Sequence, residues 1–203
     1  MSDLLIHIRD HVLLSAVSLA IALALGIPAG AWIARTPAMR ELGLGAIGAA
    51  RVIPSLAVLA LMIPLIGIGF APSVVALVLL AIPPVAINTD LGLRSVPEAI
   101  LDAAVGLGMS RRQVRSRVQW PLALPVMFSG VRTATVEVIS SATLAAFIGG
   151  GGLGELIVNG LANNDVPSLL LGAFSVGALA LAAELLLGLV ERRLRGRWGT
   201  EPT

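Results

Sequence analysis

The chain has 203 residues, 57% of them apolar and 13% charged, with fourteen basic against twelve acidic side chains and a net charge of +2. With a mean hydropathy of +0.94, it carries more apolar surface than a soluble domain of this length needs, which makes it an integral membrane protein. It contains no cysteine, and all its basic residues are arginine; this excludes disulfides, thiolate metal sites, a phosphate-binding Walker loop with its lysine, and lysine Schiff-base chemistry.

The N-terminal stretch carries His7 and His11, read as an interfacial polar turn in preference to a metal pair. Crossing about 30 Å of hydrocarbon takes roughly 20 helical residues, and apolar stretches of that order lie at 12–34, 44–66, 72–90, 122–148 and 168–190. Five spans are therefore expected. The first closes on GIPAGAWIAR, where Trp32 and Arg35 are interfacial anchors and Gly26 and Gly30 have the spacing of close helix packing. A cleaved signal peptide over Val12 to Leu25, with Ala29-Gly30-Ala31 as its cleavage site, is disfavoured because it leaves Arg35 and Arg40 on the translocated side. Pro28, Pro54, Pro64, Pro83 and Pro84 interrupt the spans and as a group point to broken helices beside a pathway. Arg51 either pairs with Glu184 or sits near the inner surface, and Asn88, Thr89 and Asp90 read as a helix cap ending the third span.

Between residues 95 and 121 the chain turns polar and basic. Ser95 with Glu98 fits a capping box, with Pro97 early in the helix, and Ser110 with Gln113 repeats the box before a second helix that stops ahead of Pro121. Ile100, Ala103, Ala104 and Leu107 fall on one face of the first helix, where the alanines admit close approach of another backbone. Arg94, Arg111, Arg112, Arg115 and Arg117 crowd this hairpin and Arg192, Arg193, Arg195 and Arg197 the tail, while residues 149–167 carry no arginine. The arginine bias places hairpin and tail in the cytoplasm and, through five spans, the N-terminus outside and the C-terminus inside.

Asp102-Ala103-Ala104, Gly108, Val118 and Pro121 keep the spacing of the EAA motif, by which the chain resembles ABC importer permeases. Asp replaces the usual first acid, and Trp120 stands where the family usually has leucine. The resemblance extends through IPSLAVLALMIPLIGIGFAPSVVALVL, the INTDLGLRSVPEAILDAAVGLGM block and SSATLAAFIGGGGLGELIVNGL, which are similar to permeases of glycine betaine, carnitine or choline importers. It implies an all-α, methionine-importer-like type I permease fold over a single domain, 1–203, with five transmembrane helices and cytoplasmic coupling helices in a bacterial-type inner membrane. It implies further a second permease copy or paralogue, an extracytoplasmic substrate-binding protein, and a pair of ATPase subunits that hold the ATP and Mg. This chain needs no cofactor of its own, and its partners include membrane lipid but no nucleic acid. The coupling residues are then Asp102, Ala103, Ala104, Gly108, Arg111, Arg112, Val118 and Pro121.

In the fourth span Glu137 sits among Thr133, Thr135, Ser140, Ser141 and Thr143. Either this cluster lines a cavity for a cationic substrate, with Glu137, Ser140, Ser141 and Thr143 as its walls, or Glu137 pairs with Arg132. The run Gly149 to Gly152 reads as a pliable external loop, a gate or a plain flexible turn. There is no tyrosine, and Trp32, Trp120 and Trp198 map to the cytoplasmic side, leaving Phe70, Phe128, Phe147 and Phe174 elsewhere. That is thin material for an aromatic cage around a quaternary ammonium ion, so a separate binding protein is expected to deliver cargo to residues 149–164. Another solute such as methionine, or a secondary transporter without an ATPase, are the competing functions.

Overall fold

The computed structural model describes residues 2–50 and 53–198, and every regular element among them is helical. In chain order these are α1 (Ser2–Ile33), α2 (Pro37–Ala50), α3 (Ser55–Ile66), α4 (Phe70–Ser95), α5 (Glu98–Gly106), α6 (Arg111–Val114), a π-helical turn (Arg115–Gln119), α7 (Trp120–Ala142), a 3-10 turn (Leu144–Ile148), α8 (Gly154–Ala162) and α9 (Val166–Trp198). Four described stretches are long and apolar enough to cross a membrane: Asp3–Ile33, Phe70–Ser95, Arg111–Ala142 and Val166–Trp198.

α4 is the hub. It packs between α1 and α7, α7 carries α9, and α8 lies on α9. Leu14, Leu59, Leu77, Val85 and Val138 interlock at the centre. Lipid tails are as apolar as these side chains, so close fit rather than water exclusion holds the helices together. Glycine supplies that fit. A Cβ on Gly30 would strike the Ala86 carbonyl and Thr89, and one on Gly26 would come within 2.8 Å of Val85. The Gly26/Gly30 pair thus seats α1 on α4, as its spacing predicts. Gly30→Leu is expected to cost roughly 1–3 kcal/mol by overpacking. Gly45→Leu, with open space around its Cβ position, should leave the melting temperature of the purified protein unchanged.

The expected span at 44–66 is not one helix. α2 and α3 are separate, and Pro54 caps α3 with φ −59 and ψ 137. Proline lacks the N–H of a helix interior and pushes the residue before it out of helical geometry. The 12 residues of α3 reach only about 18 Å, short of a membrane crossing. Elsewhere the prolines do not break helices: Pro28, Pro64, Pro83, Pro84 and Pro125 all lie inside continuous ones, where packed neighbours tolerate the lost bond.

The bundle has two chemically distinct ends. At one, the buried carboxylate of Asp90 takes Arg94 at 2.8 Å and Arg40 at 3.5 Å, joining α4 to α2. At the other, the Gly69 N–H donates to the Ile148 carbonyl at 2.6 Å. Gly69 and Asp90 stand about 30 Å apart along α4 at 1.5 Å per residue. α2 and α3 both pack against α4. Asn88, Thr89 and Asp90 are not a cap, since the helix runs on to Ser95; Asn88 Nδ2 and Thr89 Oγ1 each donate 2.8 Å bonds to the carbonyls of Pro84 and Val85.

Two expectations about the opposite end also change. His11 is fully buried and its Nε2–H donates to the Ile139 carbonyl at 3.0 Å, so it belongs to the α1–α7 contact and not to an interfacial turn. The glycine run is a packed turn. Gly149, Gly151 and Gly152 have φ of 73°, 79° and 83°, values L side chains rarely adopt. Gly150 and Gly152 are buried, and Gly150 abuts Ser73 and Ala145 while Gly152 abuts His11. Among the described residues no group of three His, Asp or Glu side chains could hold a metal.

Candidate coupling hairpin and translocation groove

The hairpin forms at the basic end. Ser95 does not cap α5; its Oγ donates back to the Gly92 carbonyl at 2.8 Å, and Pro97 stands at the N-cap without a side-chain bond. Pro97 replaces the cap because its fixed φ starts a helix without needing an N–H partner. α5 closes in a Schellman motif: the Met109 N–H donates to Ala104 O at 3.2 Å and the Gly108 N–H to Val105 O at 2.9 Å. Gly108 takes φ +86° there, which explains a glycine at that place in the motif. The second capping box is present as expected, with Ser110 Oγ accepting from Gln113 N at 3.4 Å and Gln113 Oε1 accepting from Ser110 N at 2.8 Å.

The second arm does not stop before Pro121. α6 widens into the π turn, where the Trp120 N–H donates to Arg115 O, and continues as α7 with Pro121 in its first turn. The five-residue bond loop makes room for a proline ring that a regular turn would reject. Arg111 to Ala142 is thus one 32-residue rod. Gln119 Nε2 donates to Leu93 O at 3.0 Å, and Leu101 and Trp120 pack on Leu93, Val96, Ala123 and Met127. These contacts seat the hairpin on α4 and α7.

The face read from the sequence is divided by the fold. Ala104 points inward at 7% exposure, whereas Leu107 is 85% exposed and Asp102, Ala103 and Gly108 are exposed with it. Arg111 and Arg112 face solvent, while Val118 and Pro121 are half-buried at the root of α7.

Farther along the same rod, α7 and α9 frame an open groove of about 510 Å³. Ser129, Thr133, Glu137 and Ser140 line it from α7, and Glu184 and Glu191 from α9. Arg132 bridges the walls: its Nε donates to Glu184 at 2.8 Å and its Nη1 to Glu191 at 2.7 Å. The buried Glu191 also takes Arg195 at 2.6 Å. Glu184 is thereby engaged by Arg132; Arg51, its other expected partner, lies outside the described residues. Glu137 and Ser140 both line the groove. Ser141 and Thr143 are not among its walls, and Thr143 Oγ1 is buried. Ser129, Glu184 and Glu191 were not anticipated there. The spacing of Ser129, Thr133 and Glu137 at i, i+4 and i+8 was the available signal for the first; the α9 pair needed the helix contact.

A basic hairpin thus continues into a long apolar helix that lines a charged groove. Residues 26–196 match the family of binding-protein-dependent transport system inner membrane components. The chain belongs to this family. It is a transport component of a multi-pass inner-membrane type, not an enzyme. Among relatives of this inner membrane component, the osmoprotectant import permease protein OsmY of Salmonella typhimurium is 41% identical over 95% of this chain and 82% of its own length. The carnitine transport permease protein OpuCB of Listeria monocytogenes is 37% identical over 95% and 88%. The choline transport system permease protein OpuBB of Bacillus subtilis is 35% identical over the same shares, 95% and 88%. An inward-facing structure of the methionine ABC transporter MetNI superposes with a TM-score of 0.82 at 19% identity, covering 94% of this chain and 95% of that one. An amino acid ABC transporter solved with histidines gives 0.78 at 18%, covering 94% and 93%. At such identities the likeness establishes the fold of an ABC importer permease alone.

Proposed function

We propose that this permease passes a quaternary-ammonium osmoprotectant (glycine betaine, carnitine or choline) from an extracytoplasmic binding protein into the cytoplasm by alternating access. The carrying observation is the set of carnitine, choline and osmoprotectant permeases that align with nearly the whole chain at 35–41% identity. A pair of ATPase subunits, holding ATP and Mg, docks on the exposed residues Asp102, Ala103, Gly108, Arg111 and Arg112. Ala104, Val118 and Pro121 seat the hairpin so that ATPase closure pulls on α7. A second permease copy or a paralogue completes the pore.

In this reading the basic end faces the cytoplasm, the N-terminus lies outside and the C-terminus inside. The packing of α2 and α3 against α4, with Arg40 at the Asp90 end and Gly69 at the other, supports a fifth crossing made by α2 and α3 together, which keeps the arginines of the first loop, the hairpin and the tail on one side. Glu137 and Ser140, with Ser129 and Thr133, give the groove oxygen atoms and negative charge suited to a passing cation. Ser141 and Thr143 belong to the pathway only if the groove extends when the pore opens.

The cargo is tested at the binding protein and at the membrane together. Glycine betaine, carnitine or choline is expected to raise the partner binding protein's melting temperature and to enter proteoliposomes holding the full complex only with ATP. Stabilisation by methionine alone would transfer the proposal to that solute, and uptake by the permease alone along an ion gradient would end it.

A further inference from the structure

At the basic end, where α1 and α4 meet the root of α7, lies a recess of about 150 Å³ walled by Arg35, Arg94, Arg115, Gln119 and Trp120 over Leu93. We propose that it binds the phosphate of an anionic phospholipid headgroup.

The charge balance points to an anion. No carboxylate is among the walls, and Asp90, the partner of Arg94, is already shared: Arg94 Nε is 2.8 Å from one oxygen and Arg40 Nε 3.5 Å from the other. The guanidinium groups of Arg35 and Arg115 have no carboxylate partner among the described residues, so the recess carries uncompensated positive charge. Guanidinium forks match phosphate oxygens in a paired, planar geometry.

The frame is fixed in advance of any ligand. Arg94 Nη2 donates to Ala34 O at 3.3 Å, covering the carbonyl end of α1, whose negative dipole would otherwise repel an anion. Gln119 is held by its 3.0 Å bond to Leu93 O. The volume is below the 300–1,000 Å³ of sites that enclose whole drug-sized ligands, which suits a headgroup phosphate with its acyl chains outside.

Position selects lipid over a protein carboxylate. Every wall comes from the end of a membrane helix or the root of α7, and none from α5, where the exposed docking residues lie. Trp120 and the half-exposed Trp32 mark the depth of the membrane surface, and basic pockets between membrane helices at that depth are headgroup sites.

The test uses the complete permease–ATPase complex purified from nanodiscs containing phosphatidylcholine and phosphatidylglycerol, read by native mass spectrometry. The wild type is expected to retain phosphatidylglycerol, and Arg35→Gln with Arg115→Gln to retain it roughly tenfold to a hundredfold less tightly, the range of hydrogen bonds to a charged group. Arg35→Lys with Arg115→Lys should restore part of the retention, and Arg193→Gln, an exposed arginine outside the recess, should match wild type. Glycerol phosphate is added as the chain-free competitor. Equal retention by wild type and the glutamine variant overturns the proposal. Full displacement by glycerol phosphate at millimolar concentration reassigns the recess to a soluble phosphate and also overturns it. Retention by the permease alone that disappears on adding the ATPase subunits gives the recess to a partner's acidic side chain and likewise overturns the lipid assignment.

Discussion

Ala103→Trp is expected to abolish co-purification of the ATPase subunits and to reduce ATP-driven uptake by an order of magnitude or more, while the permease itself keeps its melting temperature. Ala103 is exposed on α5, so an indole there meets no neighbour within this chain and obstructs only an incoming surface. Ala104, one residue on, is 7% exposed against the bundle; the same change there should destabilise the hairpin itself, and the two variants together separate docking from folding. Gly108→Val acts by a third route. Nothing lies within 4 Å of a Cβ at that place, but φ is +86°, and left-handed geometry costs an L residue about 1–2 kcal/mol. The Schellman turn then opens and α5 swings relative to the Arg111–Ala142 rod. Substrate-stimulated ATPase activity in proteoliposomes reads all three variants, and wild-type stimulation in Ala103→Trp would falsify docking at this face.

Replacing Arg132 with methionine is expected to remove most of the monodisperse protein recovered in detergent. The change leaves Glu184 without its cation and Glu191 with Arg195 alone. Glu191 is the buried member of the set, and a buried carboxylate that loses one of its two cations stays desolvated with less compensation. Arg132→Glu should be more damaging still, since it adds a carboxylate beside Glu137, Glu184 and Glu191. Combining it with Glu184→Arg reverses the pair and should recover much of the yield. Size-exclusion profiles decide the matter: a wild-type profile for Arg132→Met would show the network to be dispensable. Uptake by the rescued double variant then separates a structural tie from a groove whose charge order serves transport.

Both expectations depend on how the rod is made, and here local sequence misleads. Pro121 after an arginine-rich helix reads as a stop, and in an isolated helix it would be one. The packing of Trp120 and Leu122 near Leu93 and Ala123 holds α6 and α7 in line, and the π turn absorbs the ring. Pro54 does break its helix. Both prolines look alike in sequence; what differs is whether neighbours hold the flanking turns in register. The capping boxes divide in the same way: Ser110 and Gln113 make theirs, whereas Ser95 is drawn into the last turn of α4 and Pro97 takes over. The turn at Gly149–Gly152 looked pliable because glycine is flexible by itself, yet His11, Ser73 and Ala145 close on it.

From the chain alone came the membrane class, the exclusion of an internal nucleotide site, the basic hairpin and the resemblance to an importer permease. All of these follow from composition, arginine placement and short spacings, which are properties of residues near one another in sequence. Tertiary structure decided that Ala103 faces out and Ala104 in, and that Arg132 reaches 52 and 59 residues along the chain to Glu184 and Glu191. It also decided that Arg35, Arg94 and Arg115 wall one recess. Burial and long-range ion pairs depend on which helices become neighbours, and in a bilayer that choice rests on close shape fit at residues such as Gly30, Gly92 and Gly130, which no periodicity in one sequence assigns to a partner.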